Sequence, residues 1–381
     1  MAAHPLASPR HNAADLGAVL ANANTTLRNA SLLTALLHNT QQLPPMFVDS
    51  AENHRPALNI ESSAAECGDQ IPVVDLAPLR SCDPAARASL VSSIAIACEK
   101  FGFFQVVNHG VDHSLIERCE REAHAMFELP LDVKERVHRP PGTSFGYGAN
   151  TWVNQTVMHW AESFHMQLHP TSNIRDFSQK LFSEGDPNKF SSTVEEYMAE
   201  IEKLARELLE LLTEGLGLER DRFNHYVENE RMMSMRFNLY PPCPQPELAI
   251  GLRAHTDPHL LTILHQDEVA GLQVQIDDEW ITVKPRPDCF VVNIGDLFQV
   301  LSNTRYKSVL HRAAVNGTSK RLSLACFLNP PLSATVEAPQ ELITEERPQK
   351  YRPFTWLEYL SNAYKFHPAT GGERHERFFL R

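Results

Sequence analysis

The chain has 381 residues, a net charge of −12, 43% hydrophobic residues and 22% charged residues. This composition excludes a wholly disordered or collagen-like chain, and at about 150 residues per domain the length allows roughly two and a half domains, or one large β-centred domain with helical additions. The acidic balance argues against a protein that grips nucleic-acid phosphates through a basic surface, but it leaves room for a small anionic substrate held by one or two buried cations.

Residues 1 to 46 contain no aromatic side chain and a single acid, Asp15, so they cannot build a core of their own. They are expected to form a tail with one amphipathic helix near Thr26–Leu37. Their Ala, Ser and Asn content, with Arg10 and Arg28, also has the look of an organelle transit peptide. Plastid import therefore stays open beside the expected cytoplasmic location. The seven cysteines (Cys67, Cys82, Cys98, Cys119, Cys243, Cys289 and Cys326) are scattered and form no CxxC pair, the usage of a reducing compartment and not of a cysteine zinc site. No stretch approaches the roughly 20 apolar residues of a membrane helix.

Ordered structure is expected to start near Pro44–Val48 and to be firm by IPVVDL (71–76), an apolar run of strand length. Helical spacing of Ala, Leu and Ile covers 83–101, FFQVVNHG (103–110) reads as a second strand, and a helix is expected over 113–127. HRPPGTSFGYG (138–148) has the Pro and Gly density of an irregular connection. Residues 194–217 carry the strongest helical periodicity, stopped by Gly215 and Gly217. After residue 230 the runs MMSMRFNLY, LLTILHQ, GLQVQI, EWITV, CFVVNI, KSVLHRAAV and RLSLACFL are short and β-type, the texture of a closed barrel or a double-sheet jelly roll. A last helix is expected over about 354–366. The organisation expected is thus α+β, in four stretches: the tail 1–46, a mainly helical region 47–230 with flanking strands, a β core 231–335, and a closing helix and tail 336–381.

The chemistry lies in the β half. His255 and Asp257 are two residues apart, so on a strand they project from one face about 7 Å apart. His311, on a later strand, is the natural third ligand. Two histidines and one carboxylate on one face of an octahedral ion leave three positions open, the arrangement of non-haem iron(II) oxygenases. Ten residues after His311, Arg321 and Ser323 form another i, i+2 pair. A guanidinium fork and a hydroxyl can anchor the far carboxylate of a dicarboxylic 2-oxo acid, with Asn238 and Tyr240 in support. A lone histidine on a strand is ordinarily a packed core residue, and Arg-x-Ser is common by chance. It is the order and spacing of the whole set that point to a metal oxygenase.

IPVVDL, FGFFQVVNHGV, NLYPPCPQPE, GLRAHTD, LTILHQDEVAGLQV, VVNIGDLFQVLSN, RYKSVLHRAAVN and RLSLACFLNP, in this order from about Pro44 to Leu360, resemble the plant-type 2-oxoglutarate- and iron(II)-dependent dioxygenases. The resemblance implies a double-stranded β-helix (jelly roll) barrel with surrounding helices mainly from the N-terminal half. It implies iron ligands at His255, Asp257 and His311, and 2-oxoglutarate contacts at Arg321, Ser323, Tyr240 and Asn238. It implies O2 as co-substrate, ascorbate as reductant, and oxidative decarboxylation of 2-oxoglutarate to succinate and CO2, which drives hydrogen abstraction from an unactivated C–H bond. A monomer that binds neither nucleic acid nor membrane is expected.

LTILHQDEVAGLQV and the following FVVNIGDLFQVLSNTRYKSVLHRAAVN are most similar to gibberellin oxidases, especially the 20-oxidases. MHWAESFHM (158–166) and WITVKPRP (280–287) are similar to 2-oxidases that act on C20 gibberellins, while GLRAHTD and RLSLACFLNP also resemble aminocyclopropane-carboxylate oxidases. The expected substrate is a lipophilic diterpenoid acid. Val153, Val157, Met158, Trp160 and Phe164 would supply an apolar wall unless they are ordinary core residues, and Arg253, on the strand face of His255, would pair with the substrate carboxylate unless it serves a structural ion pair. The alternatives are the same iron chemistry on a flavonoid, an alkaloid or a small amino acid, and a ligand-binding relative without turnover. His109, His165 and Cys243 need no catalytic role on this reading.

Overall fold

The computed structural model describes residues 42–49, 71–140, 143–148, 157–228, 233–365 and 378–380. The helix expected near Thr26–Leu37, the transit-peptide reading and Val153 lie outside the described residues.

The N-terminal half supplies the helical cover. Helix α1 (Pro84–Lys100) begins where the Asp83 side chain caps the Ala85 N–H and Pro84 fixes the first turn. Helix α2 (His113–Glu128) is capped in the same way by Asp112. Helix α3 (Ser172–Leu181) was not expected from periodicity. Helix α4 spans Pro187–Gly215, starting earlier than its apolar stripe suggests, because Asp186 caps two N–H groups and Pro187 occupies the first turn. Its buried face includes Phe190, Val194, Ile201, Leu204 and Leu208. Each such side chain contributes about 1.5–3 kcal/mol on burial.

The strands are β1 (Val73–Asp75), β2 (Phe103–Val107), β3 (Gly146–Tyr147), β4 (Glu162–Gln167), β5 (Ser234–Tyr240), β6 (Leu252–His255), β7 (Leu261–Gln266), β8 (Leu272–Ile276), β9 (Glu279–Thr282), β10 (Phe290–Ile294), β11 (His311–Ala313), β12 (Arg321–Leu328), β13 (Thr335–Val336) and β14 (Phe354–Thr355). An eight-stranded sheet runs in the order β1-β2-β10-β7-β12-β5-β4-β3 and a four-stranded sheet in the order β6-β11-β8-β9. The fold is therefore the expected α+β jelly roll, built as two separate sheets rather than as one continuously hydrogen-bonded barrel. The large sheet draws β1 to β4 from the helical half of the sequence and the rest from the β half. Helix α5 (Asp296–Leu301) follows β10, and α6 (Trp356–Lys365) comes near the end of the chain.

Residues 42–49 pack beside the sheets through a short 3-10 turn at Pro45–Phe47, where Phe47 meets Trp160 edge to face at 5.0 Å. Among the described residues the six cysteines are free, and no helix is long and apolar enough to cross a membrane.

Candidate active site

Both sheets line one cavity. On the four-stranded sheet, His311 is the cross-strand partner of His255, and their rings lie 4.2 Å apart. Strand β6 ends at His255, so Asp257 does not continue the strand as expected. It sits in the loop beyond, held by the Asp296 N–H, which donates to its carbonyl at 2.8 Å. Asp257 Oδ1 nevertheless lies 3.5 Å from His255 Nε2 and 3.6 Å from His311 Nε2. The three ligand atoms fall within 4.8 Å of one another, close enough for one ion at bond lengths of about 2 Å.

The tautomers fit that use. His255 Nδ1 bonds the Arg253 carbonyl at 2.7 Å and His311 Nδ1 the Val309 carbonyl at 3.1 Å. With the proton on Nδ1, each Nε2 turns a lone pair towards Asp257. Burial and the neighbouring His311 push His255 below its usual range, favouring the neutral ring. Burial alone would raise the Asp257 carboxyl, but His311 and His255 hold it well below the usual carboxylate range.

The loop between the first two ligands is tied to a buried carboxylate. Thr256 donates to Asp296 Oδ2 at 3.1 Å and Ser308, three residues before His311, to Asp296 Oδ1 at 2.6 Å. Tyr359 of α6 donates its hydroxyl to the same group. Gly295 permits this close packing, since a Cβ there would meet the His259 carbonyl at 2.0 Å.

The second predicted group also comes together. Strands β12 and β5 pair Arg321 with Tyr240 and Ser323 with Asn238, so four residues form two cross-strand pairs on the inner face. All four are buried and line the cavity. Asn238 Nδ2 donates to Ser323 Oγ at 3.3 Å, Arg321 donates to Gln266 Oε1 at 3.0 Å and to the Val269 carbonyl at 3.1 Å, and its guanidinium sits 5.2 Å from the Tyr240 ring centroid. A side chain at position 271 would strike the Arg321 Cδ at 2.7 Å, which accounts for Gly271.

The expected substrate residues are placed differently. Phe164 points away from the cavity into the helical layer, against Phe127 and Phe177. It has the opposite strand parity to His165. Trp160 is buried against Phe47 and donates its indole N–H to the Pro241 carbonyl, so it too is core rather than cavity wall. Met158 packs against the same cluster. Arg253 does line the cavity, but it forms an ion pair with buried Asp49 at 3.1 Å, the structural alternative considered for it.

Two residues given no role by the sequence line the cavity instead. Arg236 shares strand parity with Asn238 and Tyr240, lines the cavity, and lies opposite His165 in the β4–β5 register. It donates to Ser163 Oγ at 3.2 Å, and its Nε has no partner among the described residues. His165 bonds the Ser144 carbonyl through Nδ1 at 3.0 Å, and burial together with Arg236 holds its pKa well below the usual value. Shared parity with Asn238 was the signal that could have found Arg236. Leu252, Leu264, Leu272, Phe327 and Leu360 supply apolar wall.

Comparison with known proteins agrees with this geometry. Residues 229–330 match the 2OG-Fe(II) oxygenase superfamily, and residues 71–189 match the N-terminal region of non-haem dioxygenases in morphine synthesis. Gibberellin 20 oxidase 1-B of Triticum aestivum is 39% identical over 302 residues, covering 78% of this chain and 82% of that protein. Jasmonate-induced oxygenase 4 of Arabidopsis thaliana is 41% identical over 323 residues, covering 84% and 88%. The crystal structure of JOX2 in complex with 2OG, Fe and JA superposes with a TM-score of 0.79 at 35% identity, covering 93% of this chain and 98% of that one.

Proposed function

The chain belongs to the 2OG-Fe(II) oxygenase superfamily, and on that footing we propose that it hydroxylates or further oxidises a lipophilic carboxylic acid, a gibberellin or gibberellin precursor, acting as a monomer. It is an iron(II)- and 2-oxoglutarate-dependent dioxygenase. When bound, the iron would activate O2 for C–H cleavage, with 2-oxoglutarate giving two of the four electrons as it is oxidised to succinate and CO2 and the substrate giving the other two. In our reading His255, Asp257 and His311 hold the metal. Arg321 and Ser323 bind the distal carboxylate of 2-oxoglutarate, with Tyr240 and Asn238 shaping that end of the cavity.

The remaining task of the protein is to position the substrate carbon and exclude water. The observation that carries the acid assignment is Arg236, a buried cation on the cavity wall with an unpartnered donor. A buried guanidinium that feels the charge of Asp257 but has no hydrogen-bonded anion among the described residues is costly to hold, and a substrate carboxylate would offset that cost with charge-assisted hydrogen bonds. The apolar walls around it suit a lipophilic skeleton. The gibberellin assignment draws support from the several gibberellin 20 oxidases at 36–39% identity.

A second reading is a jasmonate-type acid, favoured by the JOX2 complex with JA, which spans nearly the whole of both chains. Product mass spectrometry separates the two. Purified protein with iron(II), ascorbate and 2-oxoglutarate is incubated with C19 gibberellins, C20 gibberellins, ent-kaurenoic acid and jasmonic acid, beside a His255→Ala control. Gain of one oxygen atom, or loss of the C20 carbon, on a diterpenoid supports the gibberellin reading. Oxidation of jasmonic acid alone moves the assignment to the second. No change in any acid, with 2-oxoglutarate still consumed, overturns both.

A further inference from the structure

Asp257 uses its two oxygens differently. Oδ1 faces His255 Nε2 and His311 Nε2 at 3.5 and 3.6 Å. Oδ2 accepts a hydrogen bond from Thr262 Oγ1 at 2.6 Å and another from Asn293 Nδ2 at 3.0 Å. Thr262 on β7 and Asn293 on β10 are direct cross-strand partners in the large sheet, and both are buried. Two donors on a rigid sheet therefore hold one oxygen of a carboxylate whose other oxygen belongs to the opposite sheet's histidine pair.

We infer that Thr262 and Asn293 are positioning residues that fix Asp257 as a one-oxygen ligand. The inference rests on the iron and 2-oxoglutarate part of the proposed function, and not on the identity of the acid substrate. Turning Oδ2 towards a metal would break both bonds and strand a hydroxyl and an amide in a buried place, where an unmade hydrogen bond is costly. The count of coordination positions makes the restraint functional. Two histidine nitrogens and one carboxylate oxygen leave three of six positions. A two-oxygen Asp257 would leave two, both filled by a chelating 2-oxo acid, with none left for a diatomic co-substrate. The clamp keeps the sixth position available.

The test reads that position directly, without the acid substrate. Under anaerobic conditions the iron(II) protein with saturating 2-oxoglutarate is titrated with nitric oxide, and the electron paramagnetic resonance signal of the iron–nitrosyl is followed. Thr262→Val, a near-isosteric change, and Asn293→Ala each remove one donor, so either suffices if the other does not fold. Thr262→Ser restores the hydroxyl. The expected result is about tenfold weaker nitric oxide binding in Thr262→Val and Asn293→Ala, with Thr262→Ser close to wild type. A merely structural role would lower the melting temperature and leave the affinity of the folded protein unchanged, and that result overturns the inference. If the wild-type protein itself gives no nitrosyl signal, the iron and 2-oxoglutarate reading fails, and the inference falls with it.

Discussion

Tyr359 on the C-terminal helix α6 donates its hydroxyl to Asp296, the same buried carboxylate that accepts from Thr256 between two of the metal-ligand positions. The next residue of that helix, Leu360, lines the cavity. The helix that forms part of the cavity wall is thus fastened, through Asp296, to the segment that joins His255 to Asp257. Tyr359→Phe keeps the ring contacts with Trp356 and Phe378 and deletes only the hydroxyl. Losing a hydrogen bond to a charged acceptor is expected to lower stability by about 1.5–3 kcal/mol. Urea unfolding measures this, and an iron(II) titration of the folded variant is expected to show weaker metal binding.

Arg321 and Ser323 are expected to act on 2-oxoglutarate and not on the acid. Arg321→Met should raise the KM for 2-oxoglutarate about a hundredfold and Ser323→Ala about tenfold, as charge-assisted bonds exceed a neutral one. Succinate formation against 2-oxoglutarate concentration checks both values. The KM for the acid substrate should stay within a few-fold of wild type.

Arg236→Met is expected to do the converse. The KM for the acid should rise roughly 10- to 100-fold for the loss of one or two charge-assisted bonds, while the KM for 2-oxoglutarate is retained. The methyl ester of the same acid should bind wild type and variant alike. Parallel kinetics with the acid and its ester measure the difference.

The stability of the protein in acid should depend on Glu120. Its hydrogen bond with His265 holds its carboxyl below the ordinary value of 4.5 against the opposing effect of burial. A carboxyl depressed in the folded state adds stability that is present above 4.5 and lost as pH falls through the lower folded value. Glu120→Gln should therefore be less stable than wild type at neutral pH, and the gap should close below about pH 4.5. Unfolding midpoints taken across that range decide it.

The elements that sequence periodicity identified are those with strong local signals. Helices α1 and α2 begin at aspartates that cap them, and His-x-Asp, His311 and Arg321-x-Ser323 stand out by their order and spacing, although of the two i, i+2 pairs only Arg321 and Ser323 lie on one strand. What the periodicity could not supply is register and distance along the chain. Phe164 and His165 differ by one position, and only the pairing of β4 with β5 tells which of them faces the cavity. Arg253 has the right parity for a substrate contact, yet its partner Asp49 lies 204 residues earlier. Asn293 and Thr262 are ordinary polar residues in apolar runs, and their shared role emerges only when β7 pairs with β10. Helix α4 begins at Pro187, before the periodic run read from residue 194, because Asp186 and Pro187 set its start and Phe190 in its first turn already packs in the core.

The central claim is that this cavity couples 2-oxoglutarate decarboxylation to oxidation of an acid held by Arg236. The most direct measurement is turnover under isotopically heavy O2 with the gibberellin and jasmonate panel, reading both products by mass. The account predicts one heavy oxygen atom in succinate and one in a hydroxylated acid, with the Arg236→Met variant still labelling succinate while losing most of the labelled acid. Labelled succinate with no labelled acid from any member of the panel, or a labelled acid unaffected by Arg236→Met, would contradict it.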